Sequence, residues 1–562
     1  MKPSNVKSGG LSRRGLLAGA GTLGALSVMD WLGLFAREGV PGTRKLWELS
    51  TARAAEDSST GGAEETRFLI YWFQEGGWDS YALFAPVDSA NDSSIVVPAG
   101  ELYPTPSWSD QRYRVKGFGT SPYPYASTVN GLRVGYLALP GQALFPDLCL
   151  LSSHYGNTFH SGGRFDYHYG RYDRSLTGYR QADERSVMQA FCEAKGSSFL
   201  LPHISWHRWL ADGELALSNY PEGTGYYEKL GPAYAHTIYG KTPEYFRQRL
   251  MAIGNVADAA RAERIRQYTD NLQDNFLRGR DGASVKAFAS AVEIYRSLKS
   301  GELTVDPSTL FTDPDLRAHF GVSSADESPT ETSVNGNPAR SKESPHVRVQ
   351  AMMTYECMRA LLGCAYWIES RNVRRFDAHR SRKEVLEKDS NSDQLATIKD
   401  ELWNPLIAFV SKLKSTEMPG MAGKSLWDQT TIVLCSEMGR TLSGDVTEIL
   451  ESTNTDSEKY TQVIEQDVCQ HWHVNGVGFL GGSVRGGRQY GGVGTSTFEA
   501  IPILPDGSLD PAFDPVTGKQ LRTPSSQGFV PDAGHVYATA LKLAGVDPVG
   551  KGRNTRSALT FI

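Results

Sequence analysis

Residues 430–441 read TTIVLCSEMGRT, a β-branched and apolar run from Thr430 to Cys435 that meets Ser436, Glu437, Met438, Gly439 and Arg440 with no polar lead-in. A strand that is apolar on both faces belongs in the middle of a parallel sheet covered by helices on each side. Such sheets bind ligands at the carboxyl ends of their strands, so Glu437 and Arg440 are expected at a functional rim. Residues 67–79, RFLIYWFQEGGWD, repeat the grammar: an apolar strand to Phe73, Gly76 and Gly77 for a tight turn, then Asp79. Two strands thus deliver a carboxylate to the same kind of edge.

At 562 residues the chain is long enough for one large α/β domain with insertions, or for two or three smaller ones. A formal charge of −5 with 22% charged residues, and no basic run beyond the N-terminal stretch, leaves no electrostatic footprint for nucleic acid. The N-terminus carries Ser12-Arg13-Arg14-Gly15-Leu16-Leu17, a twin-arginine consensus, then a weakly apolar glycine-rich stretch and a small-residue cleavage site at Ala52-Arg53-Ala54. We expect residues 1–54 to be an export signal that engages the twin-arginine translocase, and the mature protein to be periplasmic or secreted. A membrane anchor is the less favoured reading, because Asp30 interrupts an already modest apolar run. That route carries folded proteins and suits those that load a cofactor before export, a first pointer to a metal. The six cysteines are scattered with no CxxC pair, so neither a zinc ribbon nor a redox motif is supported, and most read as core thiols.

Along the chain, 55–66 is a polar linker and 67–562 reads as one α/β domain, with strands and helices alternating around a mostly parallel sheet. A helical insertion is expected over about 241–320, and 321–345 has the composition of a disordered loop. After it come an amphipathic helix in HVRVQAMMTYECMRALL, a strand in CAYWIE, a helix over 400–414, the TTIVLC strand, a strand in VNGVGFL and a closing helix in GHVYATALKLAGV.

Two further segments join the expected rim. In Phe376-Asp377-Ala378-His379 a carboxylate and an imidazole at i and i+2 share a side if the segment is extended, and Gln470-His471-Trp472-His473 stands just before the VNGVGFL strand. With Asp79 and Glu437 they supply hard oxygen and imidazole ligands from four places, a mix suited to zinc, manganese or iron, or to magnesium or calcium where oxygens dominate. Taken singly, each residue reads as well as a capping or ion-paired group. Their common placement beside apolar strands favours a metal or anion site.

The twin-arginine leader, GGWD, FDAH, WDQTTIVLCSEMGRT and QHWHVNGVGFLGGSVRGG together resemble the exported bacterial family catalogued as domain of unknown function 1501, which is similar to the alkaline phosphatase and sulfatase superfamily. The resemblance spans about 67–550 and implies an alkaline-phosphatase-like sandwich. It implies that Asp79, Asp377, His379, Glu437 and His471 ligate metal. Met438 stands where the related hydrolases place a His, and Gln470 replaces the usual Asp, which weakens the case for two metals.

The chemistry implied is cleavage of a phosphate or sulfate ester, with a divalent metal (zinc, magnesium, calcium or manganese) activating a hydroxyl or bound water. Superfamily nucleophiles open a helix after the second strand, where backbone amides favour an oxyanion. The matching region is LCLLSSHYGNTFHSGGRFDYHYGRY, with Ser161 beside His160 as first candidate and Thr158 and Ser153 behind it. Gly162 and Gly163 are expected to let substrate approach the backbone, and Arg164 and Arg440 to hold an anionic oxygen. No Cys-x-Pro-x-Arg stretch is present, which argues against a formylglycine sulfatase. The leading reading is an exported metal-dependent hydrolase of small anionic esters. The alternative is a catalytically weakened relative that binds an envelope component, or a structural envelope protein.

Overall fold

The computed structural model describes residues 68–86, 94–97, 111–116, 127–157, 160–170, 186–196, 199, 201–206, 237–239, 242–247, 307–327, 345–370, 395–440, 445–452, 471–495, 497–549 and 556–562. The expected leader and linker, most of the helical insertion, and the FDAH segment lie outside these residues. Among the described residues no helix is long and apolar enough to cross a membrane.

The strands are β1 (Phe68–Gln74), β2 (Ser94–Val97), β3 (Gln111–Lys116), β4 (Ser127–Val129), β5 (Leu132–Val134), β6 (Cys149–Tyr155), β7 (His203–Ser205), β8 (Thr237–Tyr239), β9 (Ala365–Glu369), β10 (Thr430–Ser436), β11 (Gly439–Arg440), β12 (Asp445–Ser452), β13 (His471–Trp472), β14 (Val474–Gly481) and β15 (Arg488–Tyr490). Eight form the central sheet in the order β15-β6-β14-β10-β1-β9-β7-β8. Seven run the same way and β14 alone is reversed, paired antiparallel to both β10 and β6. The remaining strands make two small ladders, β12-β3-β2 and β4-β5, and the two-residue β11-β13 pair.

Every residue of β1 and of β10 is buried, as their unbroken apolar runs require of central strands. Side chains alternate across a sheet, and β1 shows both coverings. Trp72 meets Phe409 of the helix Asn404–Ser415 edge-on at 5.9 Å, and Phe73 meets Tyr167 of the helix His160–Tyr169 at 6.1 Å on the other face. Helices Val187–Lys195 and Ala533–Leu543 pack with the second of these, and Pro314–Phe320 and Val347–Arg359 with the first. The expected α/β class, a mostly parallel sheet flanked by helices, is therefore observed.

Two expectations shift in detail. The helix expected over 400–414 is already under way at 395–398 and passes through a π turn at Lys399–Trp403, in which the Asn404 N–H reaches back to the Lys399 carbonyl. Pro405 has no N–H with which to continue an α ladder to Glu401. Residues 321–327, placed in the loop by composition, are ordered: Gly321 ends the helix Pro314–Phe320 at φ 63°, and Ser324–Glu327 forms one more turn. As expected of core thiols, five cysteines (149, 192, 357, 364 and 435) are buried.

Candidate active site

The turns that leave β1 and β10 clasp one another at the carboxyl rim. Gly76 and Gly77 adopt φ of 105° and 75°, the left-handed backbone foreseen for GGWD. A Cβ on Gly77 would stand 2.6 Å from Met438 Cγ, so position 438 is packed against this turn. The Gly76 N–H donates to Glu437 Oε1 at 2.9 Å, and the Trp78 N–H donates to Ser436 Oγ at 3.1 Å, which donates in turn to the Gln74 carbonyl at 2.7 Å. Arg440 donates through Nε to the Gly77 carbonyl at 3.1 Å and through Nη2 to that of Gly76. The guanidinium expected to grip a substrate oxygen is therefore turned to backbone carbonyls.

The helix His160–Tyr169 follows β6 and lies directly against this clasp. Its Gly163 leaves no room for a side chain, because a Cβ there would fall 1.9 Å from the Glu437 carbonyl oxygen. The missing side chain thus serves helix-to-strand contact at this position. Next to it Arg164 is buried, its guanidinium 5.4 Å from the centre of the Phe73 ring. Its Nη2 lies 2.8 Å from Glu75 Oε1, 2.7 Å from Glu369 Oε1 and 3.8 Å from Glu437 Oε2. Glu369 ends β9 wholly buried, its Oε2 accepting from Trp367 Nε1 at 2.8 Å and its N–H bound to Gln350 Oε1 at 3.0 Å. Burial pushes its carboxyl up to about 8 against the pull of Arg164.

The reversed strand β14 is what brings His471 and Trp472 here, since its leading end meets the trailing ends of β10 and β6. The β11-β13 ladder sets Arg440 opposite His471 and Gly439 opposite Trp472. Asn475, second in β14, ties the rim together. Its Oδ1 accepts from Trp78 Nε1 at 2.5 Å and Ser80 Oγ at 2.9 Å, and its Nδ2 donates to the Ser436 carbonyl at 2.8 Å and Tyr167 Oη at 3.2 Å. Tyr167 Oη lies 2.6 Å from Nε2 of His154, a buried imidazole whose pKa burial lowers to about 4. Beyond it His473 Nε2 and Tyr155 Oη both meet Glu499, at 2.7 and 3.2 Å.

Of the expected metal ligands, Asp79 and Glu437 reach the same rim, where Asp79 Oδ1 caps the Ala82 N–H at 3.0 Å. His471 is placed there by its backbone, and its side chain lies outside the described residues, as do Asp377 and His379 altogether. The donor chemistry fits a hard divalent ion, because a carboxylate oxygen that accepts one N–H retains lone pairs for a cation. Ser161 and His160 fall in the first turn of the helix His160–Tyr169, the expected place, with their side chains outside the described residues.

A different trio is close enough to share an ion: His346, Asp400 and Glu401, the one such group among the described residues. His346 Nε2 stands 2.9 Å from Asp400 and 3.4 Å from Glu401, while its Nδ1 accepts the Arg348 N–H at 3.2 Å as the helix cap. An acceptor Nδ1 fixes the proton on Nε2, so coordination through Nε2 would demand an imidazolate or the loss of the cap. Arg348 already pairs with Asp400. The trio is better suited to joining the start of the helix Val347–Arg359 to the π turn Lys399–Trp403 than to holding metal.

Sequence reasoning missed Glu75, Glu369 and Asn475. Glu369 had a usable signal, because CAYWIE ends in an acid just as TTIVLCSE does. Asn475 is the polar interruption of an otherwise apolar strand, a mark of a buried hydrogen-bond hub.

No protein-family model matches the chain, and no curated protein matches it. Among solved structures it is similar to a phosphonate monoester hydrolase of Agrobacterium radiobacter at 11% identity, with 85% of this chain and 74% of that chain covered. The TM-score of 0.28 makes this likeness too distant to bear on the fold or the activity.

Proposed function

We propose that the protein is an exported, metal-dependent hydrolase of phosphate or sulfate esters, acting at the carboxyl rim of the central sheet. The supporting observation is convergence: the ends of β1, β9 and β10, the reversed start of β14 and the first turns of the helix His160–Tyr169 meet around Glu437. In this reading Asp79, Asp377, His379, Glu437 and His471 hold the ion. A divalent metal bound there would polarise the ester oxygens and lower the pKa of the attacking group.

The chain contributes position and charge. The opening turn of the helix His160–Tyr169 directs unsatisfied backbone N–H groups and the positive end of its dipole toward an anionic ester. Ser161 in that turn is the candidate nucleophile, with a water molecule as its rival, and His160 is a candidate general base in the same turn. Arg164 holds the helix to the strand ends through its carboxylates, so its contribution is to placement of Ser161 rather than to substrate.

A second reading, an envelope binding or assembly factor with weakened catalysis, is favoured by the engagement of both rim arginines with protein groups. Metal-loaded wild type and Ser161→Ala assayed on an aryl phosphate and an aryl sulfate separate these readings. A loss of turnover in the variant supports Ser161, equal rates support water, and no turnover by wild type across a broad ester panel selects the binding protein.

A further inference from the structure

We propose that the guanidinium of Arg164 is the permanent cation of a carboxylate cage formed by Glu75, Glu369 and Glu437, closing to divalent metal a position that the three acids alone would offer to one. Nη2 is one atom facing three carboxylates from three different strand ends, at 2.8, 2.7 and 3.8 Å. Contacts of 2.7–2.8 Å are charge-assisted hydrogen bonds, and a divalent ion at the same point would need the Glu75 and Glu369 oxygens about 0.5 Å nearer, with Glu437, at 3.8 Å, turning further inward. The guanidinium is not a visitor from the surface. Its side chain is 4% exposed, and it lies against the Phe73 ring on a helix whose neighbouring Gly163 is pressed onto Glu437.

Such a cage favours a cation, because carboxyl groups this close in a buried place repel one another as they ionise. Arg164 supplies one positive charge covalently and offsets part of the negative charge of the cage without a metal. The inference rests on the reading of this rim as a metal site only in locating the cage beside the proposed ion. Glu437 faces both, with Oε2 toward Arg164 and Oε1 toward the turn that carries Asp79. The rim would then hold one divalent ion and one guanidinium, not two metals.

The test is metal stoichiometry on the full chain, by elemental analysis after loading with Mn²⁺ or Zn²⁺ alone and desalting. Wild type is expected to carry one ion per chain and Arg164→Ala two. Zero in wild type and one in Arg164→Ala would remove the proposed metal centre and leave the cage inference standing. Two ions in wild type, or no gain in Arg164→Ala, would overturn the cage. Should Arg164→Ala fail to fold, Glu75→Gln and Glu369→Gln in the wild-type background decide the matter, since acids already engaged by Arg164 leave the bound metal unchanged. A loss of one equivalent in either variant would overturn the proposal.

Discussion

The indole of Trp78 donates to the side-chain oxygen of Asn475 across 2.5 Å, joining the turn after β1 to the start of the reversed strand β14. The same Asn475 oxygen accepts from Ser80, and its amide nitrogen donates to the Ser436 carbonyl. Truncation therefore strands two buried donors and a carbonyl at once. Asn475→Ala should lower unfolding free energy by about 3 kcal/mol or more, read from urea melts of the full chain. A change below about 1 kcal/mol would mean that water replaces the amide without loss.

His154 gives a pH dependence of stability. Burial depresses its pKa from the ordinary 6.5 to about 4, so the unfolded chain binds the proton first as pH falls. Its stabilisation is present above about 6.5 and is lost between there and about 4, a depression worth about 3 kcal/mol. Unfolding free energies measured across this range should fall less steeply for His154→Gln than for wild type. Parallel curves would show that other groups dominate.

Gly163→Ala should destabilise, although glycine to alanine within an ordinary helix stabilises by about 1 kcal/mol. The new Cβ meets the Glu437 carbonyl at 1.9 Å, and that backbone oxygen cannot rotate aside. A loss of about 1–3 kcal/mol is expected, with a parallel fall in any ester turnover as the helix is pushed from the strand ends. A more stable variant would show that the helix is not seated on Glu437.

Asp377→Asn tests the proposed metal centre. Loss of one anionic ligand should reduce bound metal and, in metal-containing buffer, the melting temperature together. Failure of wild type to hold stoichiometric metal under every loading condition would end the metal reading.

Export is tested by replacing Arg13 and Arg14 together with lysine. The two guanidinium groups are planar donors that an ammonium does not imitate, so the double variant is expected to accumulate as precursor in the cytoplasm. Normal appearance of the variant outside the cytoplasm would contradict the twin-arginine assignment.

The strands were legible because their burial is written in composition: TTIVLCS and FLIYWFQ admit no face for water, and both proved central and fully buried. The glycine turn after β1 was legible for a similar reason, since only glycine takes those angles readily. Direction was not legible. VNGVGFL reads alike whichever way it runs, and its reversal follows from which neighbours it meets in the sheet. Nor does sequence reveal that an arginine will face acids from other strands. Arg164 was readable as a bidentate holder of an anionic oxygen, yet its partners are set by packing between segments far apart in the chain.

The bonds that close the rim span most of the polypeptide: Gly76 to Glu437 across 361 positions, Trp78 to Asn475 across 397 and Tyr81 to Phe498 across 417. A growing chain therefore has no such rim until nearly all of it has left the ribosome, and closing loops of this length makes assembly slow. During synthesis β1, apolar on both faces, waits for β10 and remains a hazard for aggregation. A cell making this protein must shelter its first strand for the duration of translation, a demand for chaperone holding that follows from the order of its strands alone.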